Sequence, residues 1–237
     1  MYILDMVNSR DHKYNDISKE ELYKNRVRKS IFFVFAFIGA FTINIFSVVQ
    51  FYEKQLSIST LYGTMTLYMI ICILLGMFYL PYHPKYYGFN FKYLGSELIV
   101  GIIIGIFTLL ISILIRLYLI NEGCSYLSFH FSLSIDDVLR ILAYPMAAIV
   151  QETAVKGYFQ SYLVAILDGS KVKKSLSIIV SSLIFAQFHL ILGMWVFALT
   201  FIFSCLTGII YERRRSVIAV SIIHFMAGAG LLMFRPL

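Results

Sequence analysis

The sequence predicts an all-α fold: a polytopic membrane helix bundle of about seven transmembrane helices with its N-terminus in the cytoplasm. Three observations predict it. The 237 residues are 59% hydrophobic and only 14% charged, against roughly 45–50% and about 25% in soluble domains. Apolar runs recur at close to the roughly 20 residues a helix needs to cross a hydrocarbon core. Basic residues gather in alternate connections between those runs, the asymmetry that orients a chain in a membrane.

Taken in order, the runs are 30–52, 61–80, 96–120, 138–167, 175–191, 193–211 and 216–234, the fifth and sixth being short. The leader 1–29 carries Arg10, Lys13, Lys19, Lys24, Arg26, Arg28 and Lys29. It lacks the compact apolar core and cleavage site of a signal peptide, so the first run reads as a retained anchor. Lys85 and Lys92 follow the second run, Lys171, Lys173 and Lys174 the fourth, and Arg213, Arg214 and Arg215 the sixth. The other side has only Lys54 and the flanking Arg116, Arg140 and Arg235. This alternation places the N-terminus inside and the C-terminus outside. It makes the net charge of +7 a topology signal rather than a nucleic-acid footprint. The expected setting is the cell membrane, with the lipid bilayer as partner and no nucleic acid.

The longest internal connections, about 81–95 and 121–137, are too short for a second folded domain. A polar leader, 1–29, and one membrane domain, 30–237, therefore describe the organisation. Cys72 and Cys205 lie in apolar runs and Cys124 in a loop, so neither a disulfide nor a cysteine metal site is expected. Gly101 and Gly105 form a small-xxx-small pair that lets two helices approach closely.

The C-terminal half breaks the apolar pattern with Gln151, Glu152 and Lys156 in one run, Gln187 and His189 in the next, and His224 in the last. Such groups are expensive in hydrocarbon and face a bundle interior or a wet cavity. Glu152 and Lys156 stand four apart with the acid first, the favourable order for an ion pair on one helix face. That pair reads equally as a structural neutralisation and as a functional feature. Gly157 lets another backbone come near, and Pro145 offers a kink.

His189 follows Phe185 by one helical turn, so the ring can brace the imidazole. His224 has Ser221 one turn before it and Gly228 one turn after. Each histidine alone is more often a hydrogen-bonded core residue than a catalyst. Two histidines and a carboxylate from three helices nevertheless supply what water activation needs: a proton acceptor, a group to hold the water and a donor for the oxyanion. The same Glu152, His189 and His224 could ligate a catalytic zinc, and the residues leave both uses open. The helical zinc signature, a glycine-rich phosphate loop and a GxSxG elbow are absent. His12, His83 and His130 fall in the leader or loops and read as solvated.

From Pro145 to Gly228 the chain resembles the CPBP family of intramembrane proteases, the CAAX-protease-like or Abi group, whose motifs are EExxxRG, FxxxH and HxxxN. The corresponding stretches are Gln151-Glu152-Thr153-Ala154-Val155-Lys156-Gly157, Phe185-Ala186-Gln187-Phe188-His189 and His224-Phe225-Met226-Ala227-Gly228. The family-like core would occupy about 138–234. Gln151 stands for the first glutamate, Lys156 for the arginine and Gly228 for the asparagine. The resemblance implies that the first acid and the FxxxH histidine activate water, while the last histidine and the asparagine steady the oxyanion. Glutamine cannot accept a proton, lysine loses the bidentate fork, and glycine removes a donor. Glu152 lies about 100° around a regular helix from Gln151.

The first reading is therefore an intramembrane endopeptidase that hydrolyses peptide bonds of membrane-associated peptides or proteins. In it Glu152 and His189 activate water, His224 steadies the oxyanion with Ser221 or Gln187, and no cofactor is required, zinc being the alternative. The second is a catalytically impaired relative that acts in binding, bacteriocin immunity or regulation. A third, a transporter or channel, would show paired broken helices in two related halves, and the sequence has no such symmetry.

Overall fold

The computed structural model describes residues 58–79, 84–89, 91–123, 135–167, 171–190 and 193–232, with isolated positions between 31 and 53. Among the described residues there are helices and the turns that join them, and no strand. Helix α1 (Ile58–Tyr79) is followed by single turns at Pro84–Tyr87 and Phe91–Tyr93 that lead into α2 (Leu94–Asn121). Helix α3 (Ile135–Glu152) runs without a break through Pro145 into a π-helical segment, Thr153–Gln160, and then α4 (Ser161–Ile166). Helices α5 (Lys171–Gln187), α6 (Met194–Arg214) and α7 (Val217–Leu232) complete the order. Six of the apolar runs thus coincide with helices. The leader 1–29, His12, Lys54, His83, Cys124, His130 and Arg235 lie outside the described residues, as does most of the run 30–52.

Two stretches, Phe91–Asn121 and Met194–Arg214, are long and apolar enough to cross a membrane. The helix at the centre of a soluble protein would be mostly buried, whereas only 11% of the most apolar window in the first stretch is. Ile99, Ile103, Phe107, Leu110, Leu114 and Tyr118 recur every three or four residues and are all more than half exposed, a continuous apolar stripe suited to hydrocarbon. Shorter apolar helices at Gly63–Met77 and Val217–Leu231 add to this character. The exposed faces of these helices have the apolar character of a membrane-embedded surface.

The opposite stripe of α2 carries Glu97, Gly101, Gly105 and Arg116, all buried. The close approach expected of the two glycines is present. A Cβ at Gly101 would come within 3.1 Å of Ile222 and 3.2 Å of the Ala219 backbone, and one at Gly105 would collide with the Met226 sulfur. From the facing side Gly230 admits the Leu109 carbonyl, which would lie 2.8 Å from a Cβ there. Arg116 departs from the expectation that it flanks the membrane: it lies within α2 and is fully buried, because it shares the face that packs into the bundle.

At one end the basic connections converge. Glu97, in the first turn of α2, accepts a bidentate pair from Arg214 at 2.7 and 3.0 Å. Glu212 is met by Lys174 at 3.0 Å and by Arg215 at 3.1 Å, and Arg215 also donates to Ser161 Oγ at 3.0 Å. The turn from α6 to α7 is tight. Arg215 adopts a left-handed φ of 52°, the common way to end a helix, and Ser216 Oγ caps α7 by accepting from Ala219 N at 3.2 Å.

The π-helical segment is the inner element, with all eight residues from Thr153 to Gln160 buried. Ser161 Oγ donates to the Lys156 carbonyl at 3.2 Å, and the Ser161 amide bonds to the same carbonyl, five residues back, the wide winding that defines such a segment. Tyr158 stacks on Tyr87 at 4.1 Å between centroids. The expectation for Gly157 holds: the Tyr87 carbonyl comes so near that a Cβ at 157 would be 2.8 Å from it.

Candidate active site

Glu152 is the last residue of α3, at the point where the winding widens. Its Oε1 lies 3.0 Å from Nδ1 of His224 on α7, and the side chains are 1% and 6% exposed. The approach is close but out of line, since neither carboxylate oxygen nor His224 Nδ1 completes a hydrogen bond. The contact sets an acid against a base in a place shielded from solvent, where a lone charge would be costly.

Aromatic rings fix the imidazole. Phe185 meets His224 edge-on at 5.3 Å, Phe203 at 6.1 Å and Tyr144 at 6.2 Å. The ring of Phe185 also packs against His189 at 4.9 Å, so one phenylalanine braces both histidines. His189 sits in the turn just beyond α5, with its amide bonded to the Ala186 carbonyl at 2.9 Å. Its Nδ1 is 3.2 Å from the Phe185 carbonyl. A carbonyl only accepts, so that bond needs the proton on Nδ1 and leaves Nε2 as an acceptor. Among the described residues no three His, Cys, Asp or Glu side chains converge as a metal ion would require.

The ion pair anticipated between Glu152 and Lys156 is not formed. Four residues make a full turn of an α-helix, but they fall short of one in the wider π winding, and the two side chains diverge. Glu152 turns to α7. Fully buried Lys156 instead donates to the Ser204 carbonyl at 2.8 Å, to Ser204 Oγ at 2.7 Å and to Ser182 Oγ at 3.4 Å. Beside it Gln160 donates to the Gly208 carbonyl at 3.0 Å and accepts from Ser181 at 3.4 Å. Lys156 and Gln160 thus tie the π segment to α5 and α6 through neutral groups. Gln160 went unnoticed in the sequence, although a glutamine four residues beyond Lys156 in an apolar run is a signal of the same kind.

The other expected site residues are distributed as follows. Gln151 is half-buried beside Glu152, and its Oε1 has no hydrogen-bond partner. Ser221, buried one turn before His224, likewise has an unpartnered Oγ. Gln187 closes α5, half-buried, and gives no hydrogen bond to the Glu152 carboxylate or His224 Nδ1. Gly228 faces α3, where the hydroxyl of Tyr144 fills the space a Cβ would take.

A pattern emerges from the polar atoms. Among the described residues seven buried side-chain atoms lack a hydrogen-bond partner, and six belong to Gln151, Glu152, Thr153, Ser221 and His224. Buried polar groups are nearly always satisfied, and these unpartnered atoms are concentrated where α3 meets α7. No curated protein and no solved structure matches the chain. A family model does, over less than half of the 237 residues. Residues 137–229, the segment from α3 to α7 that carries this cluster of polar atoms, match the model described as Type II CAAX prenyl endopeptidase Rce1-like, and over that segment the resemblance to the CPBP family is established.

Proposed function

We propose that this protein is a CAAX-protease-like intramembrane endopeptidase that hydrolyses peptide bonds of membrane-associated peptides or proteins. The observation that carries the reading is the buried Glu152–His224 contact at 3.0 Å inside the cluster of unpartnered polar atoms, within the segment that matches the endopeptidase family. Glu152 takes a proton from water, which attacks the carbonyl carbon, and returns it to the leaving amine as the C–N bond breaks. His224, held by Phe185 and Phe203, orients the carboxylate and meets the developing charge. His189 offers Nε2 to the same water. Gln151 cannot act as the base, but its carbonyl oxygen can position water. Lys156 anchors the helix that presents Glu152. No metal is needed in this scheme.

The setting proposed with it is a multi-pass protein of the cell membrane, with about seven spans and a cytoplasmic N-terminus. The meeting of Arg214, Arg215 and Lys174 at one end of the bundle supports that orientation, because the connections they come from then share a side. The test compares wild type with Gln151→Glu, Glu152→Ala and His189→Ala on prenylated CAAX peptides and on unmodified apolar peptides in micelles. Cleavage by wild type and not by the Glu152 and His189 variants is the expected result. Cleavage by Gln151→Glu alone would mean that the natural protein binds such peptides without hydrolysing them.

A further inference from the structure

We propose that the phenol of Tyr144 is an oxyanion donor of this centre, acting beside His224. The inference rests on the hydrolytic reading above and adds a residue that none of the motifs contains. Tyr144 lies on α3, seven residues and two helical turns before Gln151, on the stripe that also bears the fully buried Ala148. Its ring meets His224 edge-on at 6.2 Å and Phe225 at 5.8 Å. Its hydroxyl reaches position 228, one turn beyond His224 on the same face of α7. A Cβ at 228 would overlap that hydroxyl and would lie 2.6 Å from Cζ and 3.1 Å from Cε1. Glycine at 228 is therefore the room in which the phenol sits. An O–H group is delivered from α3 to the spot beside His224 where a side chain of α7 would otherwise begin.

The chemistry needs such a group. When water attacks the peptide carbonyl, a C–O bond forms, the carbonyl π electrons move onto oxygen, and the proton goes to Glu152. The negative oxygen must be met by donors already in place. A phenol is neutral, so it can wait in a half-buried aromatic setting without the penalty a cation would carry, and its ring leaves the O–H little freedom to wander.

The experiment uses the full chain in detergent micelles with a fluorogenic prenylated CAAX peptide. Tyr144→Phe keeps the ring and removes only the O–H. Its kcat is expected to fall about 100- to 1000-fold with KM almost unchanged and with the thermal unfolding midpoint of the wild type. Tyr144→Ala combined with Gly228→Asn returns a donor from α7, and is expected to recover at least about tenfold over Tyr144→Ala alone. Wild-type kcat in Tyr144→Phe, or a loss confined to KM or to the unfolding midpoint, overturns the assignment. Absence of cleavage by the wild type overturns the hydrolytic reading and this proposal together. Cleavage that depends on Glu152 but not on the Tyr144 hydroxyl overturns this proposal alone.

Discussion

Replacing His224 by alanine isolates the energetics of the buried pair. Glu152 is 1% exposed, and its Oε1 lies 3.0 Å from His224 Nδ1. Without the imidazole, a buried carboxylate with no hydrogen bond of its own is left among polar atoms that are themselves unpartnered. Removing one partner of a buried charged pair typically costs about 3–5 kcal/mol. For a chain of this size each kcal/mol lowers the unfolding midpoint by about 2–4 °C, so His224→Ala is expected to lose roughly 6–20 °C. Glu152→Gln keeps the shape and removes the charge. Its expected change is only about 1 kcal/mol in either direction, because relief of desolvation offsets the lost attraction. The double variant should then be more stable than the sum of the two losses, with a coupling energy of about 1–3 kcal/mol. A thiol-reactive fluorophore can follow the unfolding, since Cys72 is buried and free. Strictly additive midpoints would refute the reasoning, showing that Glu152 and His224 are neighbours without being partners.

Two further outcomes are expected. Gly157→Ala drives a Cβ to 2.8 Å from the Tyr87 carbonyl and 3.3 Å from Val217, so the protein should lose about 1–3 kcal/mol by overpacking despite alanine's better helix propensity; an unchanged midpoint would show that the Pro84–Tyr87 turn yields freely. Prolonged dialysis of purified wild type against EDTA should leave peptide turnover intact, whereas a loss reversed by added zinc would give Glu152, His189 and His224 the role of ligands.

The long apolar runs were legible because hydrocarbon leaves the chain little choice: 96–120 and 216–234 carry few competing signals, and α2 covers the first and α7 the described part of the second from Val217. Gly101 and Gly105 were equally plain, since a small residue every four has one main use in a membrane. The pairing inside the site was not legible. It depends on a change in helical winding at Thr153 that no residue pattern announces, and the assumption of an α-helix turned Lys156 toward Glu152 when it reaches Ser204 instead. Glu97 was passed over because one acid scarcely disturbs a 28-residue apolar helix, and its partner Arg214 is distant in sequence. Tyr144 read as one more aromatic among many. Only the position of α7 against α3 shows that its hydroxyl fills the space left by Gly228.

The wide turn at Thr153–Gln160 has a consequence for how one rod can answer to two masters. A continuous α-helix locks the azimuth of every side chain to that of every other, so whatever orients Glu152 would also dictate where Ser161 points. The altered winding between them inserts a phase shift. Upstream, Glu152 is clocked to His224; downstream, Ser161 is clocked to Tyr211, 2.9 Å away, and to Arg215. The Glu152 end and the charged end of the rod thereby take bearings that an uninterrupted α-helix would not give them together.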